Sequence, residues 1–163
     1  MKTISRSEEE TAAVARALAA RLHAGDVVLL SGELGAGKTA FVRGLAEGIG
    51  VDPEHISSPT FTLIHEYRGA DLTLYHADLY RLDRASAEDL GLEETTEGIL
   101  AIEWPERLAH HLPHTISVTL EIRDETVREI EIEAESPEQP TIASAKGGAV
   151  DDMSAPPLKP RPT

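Results

Sequence analysis

Gly32-Glu33-Leu34-Gly35-Ala36-Gly37-Lys38-Thr39 has the spacing G-x-x-x-x-G-K-[ST]. Small residues at this spacing let successive backbone N–H groups turn inward and make a concavity that suits a phosphate. A helix starting at the lysine adds its own uncapped N–H groups and the positive end of its dipole. In such a loop Lys38 supplies a point charge to the β- and γ-phosphates, and Thr39 places a hydroxyl on a divalent cation. The cation also needs a carboxylate, normally at the end of an apolar strand. Two acids qualify: Glu103, which ends Ile99-Leu100-Ala101-Ile102, and Asp78, which ends Leu72-Thr73-Leu74-Tyr75-His76-Ala77. Both also read as ordinary strand-end carboxylates at the solvent boundary. The chain has no asparagine, so the N-K-x-D guanine signature is absent, and adenine is the expected base.

These residues need a strand before the loop and a helix after it. Asp26-Val27-Val28-Leu29-Leu30 is a continuous apolar run that suits a strand buried on both faces. Phe41, Val42, Leu45 and Ile49 fall on one side of the helix that follows, which is expected to end near Gly48 or Gly50. Upstream, Ser7 and Glu10 form a capping-box pattern opening a helix that Gly25 would stop. Residues 61–67 and 72–80 alternate as two strands around a turn at 68–71, and 98–104 is a further apolar strand. Residues 86–94 suggest one or two helical turns, and Pro105 is placed to open a helix over 104–112. Residues 115–123 and 126–134 alternate as an antiparallel hairpin. The expected architecture is α/β: a P-loop NTPase-like three-layer fold with a mixed, mostly parallel sheet, helices on both faces and an antiparallel edge hairpin.

The chain has 163 residues, enough for one domain with a core of its own. We divide it into a P-loop domain over 1–135 and a Pro/Ala/Ser-rich tail over 136–163, expected to be disordered because it has little apolar surface to bury. No apolar run approaches the length of a membrane span, and the first residues lack a signal-peptide pattern, which makes the cytoplasm the expected compartment. A net charge of −14 opposes polyanion binding, so no direct tRNA or DNA contact by this chain alone is expected.

Taken together, GELGAGKT, SSPTFTL with the downstream HADLYRL, and IEWPERL resemble the TsaE family of small bacterial ATPases, formerly called YjeE. The resemblance runs from about Ile4 to Ala134. It implies ATP and Mg²⁺ as cofactors and TsaB and TsaD homologues as partners. With them the family makes threonylcarbamoyladenosine at position 37 of tRNAs reading codons that begin with A, its ATP cycle acting as a switch. By position, Gly35, Ala36, Gly37, Lys38 and Thr39 would hold the phosphates, and Thr39 and Glu103 the magnesium. Asp78 and Thr60 would face the γ-phosphate region, giving Lys38, Asp78, Glu103 and Thr60 as the catalytic set. Trp104 and Glu106 would lie beside the nucleotide, and Glu8 and Thr11 would border the adenine. Where the family often carries a second hydroxyl this chain has Ala40, whose N–H still reaches the α-phosphate. Residues 57–62 would be ordered by the γ-phosphate as a switch.

Other features have plainer readings. His110, His111 and His114 cluster without a carboxylate or cysteine pattern to complete a zinc site. His76 is expected to pack beside Tyr75 or Tyr80. Two rivals stand beside the switch ATPase: a small-molecule or nucleotide kinase sharing the cradle, and a nucleotide-binding scaffold without useful hydrolysis. Against a kinase, the arginines are scattered and no lid-length insertion is visible.

Overall fold

A computed structural model describes residues 1–55, 64–82, 91–92, 97–108 and 111–134. Thr60, the 57–62 switch segment, most of the 86–94 helical turns, His110 and the 136–163 tail lie outside the described residues.

Seven strands form one sheet in the order β1-β7-β6-β2-β5-β4-β3. They are β1 (Lys2–Ser5), β2 (Val27–Ser31), β3 (Ile64–Arg68), β4 (Thr73–Asp78), β5 (Ile99–Glu103), β6 (Thr115–Ile122) and β7 (Arg128–Ala134). The middle four, β6-β2-β5-β4, are parallel, and antiparallel pairs close both sides. β5 is buried at all five positions, as its unbroken apolar run requires. In this register β2, β4 and β5 run in one direction and end together at Ser31, Asp78 and Glu103. That shared carboxyl edge is where open α/β sheets bind ligands.

Two α-helices, α1 (Glu8–Ala19) and α2 (Lys38–Gly48), lie against each other on one face. They cover a core that includes Val28, Leu30, Phe41, Val42, Leu45, Leu74 and Ile99. On the opposite face Leu79, Leu92 and Leu112 join Val27, Leu100 and Ile102 in a second cluster. Ser7 caps α1 by accepting from the Glu10 N–H at 3.0 Å. The Glu10 carboxylate returns to the Arg6 N–H at 2.6 Å, one residue earlier than a capping box places it.

The antiparallel edge is present as expected and is extended by β1, which pairs outside β7. Two expectations need correction. α1 ends at Ala19, and Gly25, with φ of 97°, instead turns the chain into β2 while donating to the Gly98 carbonyl. The expected 104–112 helix is a single 3-10 turn at Pro105–Arg107 among the described residues. Leu108 returns to an extended backbone there, which lets it pack on the second cluster.

Candidate functional site

The glycine-rich loop leaves the end of β2 and enters α2 directly. Gly37 is the N-cap, at φ 103°, a left-handed conformation that disfavours any residue with a Cβ. No side chain caps α2 and no acid stands in its first turn, whereas α1 carries three glutamates there and a serine cap. The first N–H groups of α2 are thus left without a side-chain acceptor, the condition for receiving an anion.

A cleft of about 360 Å³ opens over this helix start. It is lined by Glu8, Leu34, Gly35, Gly37, Lys38, Thr39, Ala40, Arg43, Asp78, Glu103 and Trp104. Four segments that are distant in sequence therefore meet: the start of α1, the loop running into α2, the end of β4 and the end of β5. Thr11 does not line the cleft. It is buried, and its hydroxyl shares a 2.7 Å hydrogen bond with Ser5. Glu106 is exposed outside the lining, and Ala36 is buried behind the loop.

Lys38 is buried, and its ammonium donates back to the carbonyls of Gly32 and Glu33. It also lies 4.0 Å from the centre of the Trp104 ring, a cation–π contact. Burial lowers the Lys38 pKa and outweighs the opposing pull of Glu103, Asp78, Glu106 and Glu33. Trp104 is held at φ 63°, unusual for a bulky residue, and stacks on Tyr80 with centroids 4.9 Å apart.

Asp78 and Glu103 are direct register partners on adjacent parallel strands. Thr39 Oγ1 donates to Glu103 Oε1 at 3.4 Å. The Asp78 carboxyl is pushed up by burial and by the charge of Glu103, partly offset by the Tyr80 N–H, which donates to it at 3.0 Å. Glu103 is only 2 % exposed, and burial alone would raise it. His76, a hydrogen bond with Asp78 and the Lys38 charge outweigh burial and hold it below the ordinary carboxylate range. Two carboxylates side by side with a hydroxyl are hard oxygen donors, and they fit a magnesium ion, which also relieves their mutual repulsion.

Two residues of this region, Arg43 and Arg128, escaped the sequence reading, and a third, His76, was read differently. Arg43 lies one helical turn beyond Thr39 and lines the cleft. Arg128 of β7 donates to the Gly35 carbonyl at 3.1 Å, tying the β6–β7 turn to the phosphate loop. His76 does not pair with Tyr80, which stacks on Trp104; its Nε2 lies 3.3 Å from Glu103 Oε2. The helical period of α2 could have found Arg43. The other two depend on strand register.

Residues 5–132 match the family model for the threonylcarbamoyl adenosine biosynthesis protein TsaE. The chain is 46% identical over 138 residues to the tRNA threonylcarbamoyladenosine biosynthesis protein TsaE of Treponema pallidum, covering 81% of this chain and 99% of that one. Against the protein of the same description from Aquifex aeolicus it is 43% identical over 133 residues, covering 80% of this chain and 94% of that one. A crystal structure of Bacillus subtilis YdiB superposes with a TM-score of 0.67 at 36% identity, covering 82% of this chain and 84% of that one. A phosphate loop, two strand-end acids and a family match across nearly all the described residues agree, and the chain belongs to the TsaE family.

Proposed function

We propose that the cleft binds ATP with magnesium and hydrolyses it slowly, and that the cycle acts as a switch on a complex of TsaB and TsaD homologues. As a member of the TsaE family the chain takes part in tRNA threonylcarbamoyladenosine biosynthesis. The observation that carries the ATPase reading is the convergence of Lys38, Thr39, Asp78 and Glu103 on one cleft at the uncapped start of α2.

In this reading the N–H groups from Gly35 to Ala40 grip the phosphates. Lys38 leaves the carbonyls of Gly32 and Glu33 and turns its charge to the β- and γ-phosphates. Thr39 and Glu103 hold the magnesium, and Asp78 stands on the γ-phosphate side. The ion, when bound, neutralises the charge that develops on the phosphoryl oxygens. A charge-assisted hydrogen bond contributes about 1.5–3 kcal/mol. A few therefore suffice for micromolar affinity, about −8 kcal/mol, once association costs are met. Glu8 lies at the cleft wall and borders the base.

Among the described residues no helix is long and apolar enough to cross a membrane, and we place the chain in the cytoplasm. With a net charge of −14 it suits docking on a basic protein surface better than on tRNA.

The test is ATP turnover by the purified chain, alone and with the two partner proteins. We expect slow release of inorganic phosphate with no phosphorylated metabolite or nucleoside, and repeated rounds of tRNA modification only when all three proteins are present. Lys38→Ala should lower turnover at least about 100-fold while leaving the circular dichroism unchanged. Undiminished hydrolysis by the folded variant overturns the reading.

A further inference from the structure

His76 occupies the middle of β4 with no exposed surface. In register it stands between His65 of β3 and Ala101 of β5. The two-residue period of a strand sends its ring to the same face as Asp78. Across the strand pair its Nε2 lies 3.3 Å from Glu103 Oε2, close but not a hydrogen bond as it stands. Its Nδ1 has no hydrogen-bond partner among the described residues. A buried polar group left without a partner is destabilising, a cost that a leucine of similar bulk would avoid.

Glu103 shows what this ring is placed to do. Its two carboxylate oxygens are divided: Oε1 faces the Thr39 hydroxyl at 3.4 Å, and Oε2 faces His76. The other neighbours that attract this carboxylate are Asp78, through a hydrogen bond, and Lys38, whose charge already acts on it. Were Glu103 to turn wholly to Lys38, the pair would remove both a cation ligand and a phosphate ligand from the cleft.

We propose that His76 is the positioning residue of Glu103, its Nε2–H fixing Oε2 so that Oε1 stays with Thr39 for the divalent cation. This rests on the reading of the cleft as a magnesium-nucleotide site. His76 touches neither nucleotide nor metal. It acts through Glu103, as outer-shell partners of metal ligands generally do.

The experiment uses Mn²⁺ as a paramagnetic probe, titrated into the full chain with saturating ADP and followed by electron paramagnetic resonance. Three chains are compared: wild type, His76→Leu and His76→Gln. His76→Leu should bind Mn²⁺ about 10–100-fold more weakly. Its circular dichroism should match the wild type, so that the loss is read on folded protein. A purely structural role for the imidazole predicts unchanged Mn²⁺ affinity in the folded variant. His76→Gln keeps an N–H donor and should stay within about threefold of the wild type. Wild-type Mn²⁺ affinity in His76→Leu overturns the inference alone, and so does a loss in folded His76→Gln as large as that in His76→Leu. If His76→Leu does not fold, His76→Val takes its place with the same outcomes: a tenfold or larger loss of Mn²⁺ affinity supports the positioning role, and wild-type affinity overturns it. A wild-type chain that binds ADP but no Mn²⁺ overturns the reading of the cleft, and this inference with it.

Discussion

The Lys38 ammonium rests on two carbonyls of its own loop and on the face of Trp104. Trp104 is the only tryptophan, so its emission reports on that contact. ADP or ATP should shift the fluorescence as Lys38 moves to the phosphates, and Lys38→Met should remove the response. Asp78 carries an opposite tension. Burial and the neighbouring Glu103 charge raise its pKa, so its ionised form costs stability at neutral pH. Asp78→Asn should therefore stabilise the nucleotide-free protein by a few tenths to about 1 kcal/mol, small because the site is partly solvated. The gain should shrink as the pH falls into the carboxylate range, where the aspartic acid is itself neutral. Hydrolysis should meanwhile drop about 100-fold or more. Urea melts at several pH values, paired with phosphate release, check both halves. Gains in stability on removing a functional acid are the usual mark of a site kept for its chemistry.

At the scale of elements, α1 and α2 meet through small residues. A Cβ added at Gly44 would stand 2.7 Å from the Ala15 Cβ and closer still to the Ala12 carbonyl, and one at Gly48 would stand 2.5 Å from the Ala19 Cβ. Gly44→Ala gains about 1 kcal/mol of helix propensity. Overpacking of about 1–3 kcal/mol or more should exceed that, giving a net loss in denaturant melts. Alanine and glycine at these positions read in the sequence only as gaps in the apolar stripe, and their role depends on how closely the helices approach. The parallel centre was legible, since Val27–Leu30 and Ile99–Ile102 are apolar runs that only a doubly covered strand accommodates. β1 was not: Lys-Thr-Ile-Ser is short and mixed, and its pairing comes entirely from β7. The 104–112 segment looked helical because Pro105 favours a helix start, but the left-handed Trp104 and the burial of Leu108 and Leu112 draw it into a single turn. Within the site, loop and acids could be read from local pattern. The contacts of His76 and Arg128 could not, because each crosses between strands whose register is set elsewhere.

At the scale of the whole molecule, acidity and edge protection work together. Lys2 lies 3.8 Å from Glu129 and 3.7 Å from Glu131, so the outermost strand carries a cation onto an acidic neighbour while shielding its open backbone groups. The order of the strands has another outcome. β2 is flanked by β5 and β6, which enter only after residue 98, and Thr39 meets a carboxylate 64 positions later. A chain emerging from the ribosome thus carries its loop long before the opposing wall exists. Under the proposed function, ATP should therefore act on the finished molecule and not on early folding. Stopped-flow refolding should run at the same rate with or without Mg-ADP, whereas unfolding should slow several-fold in its presence.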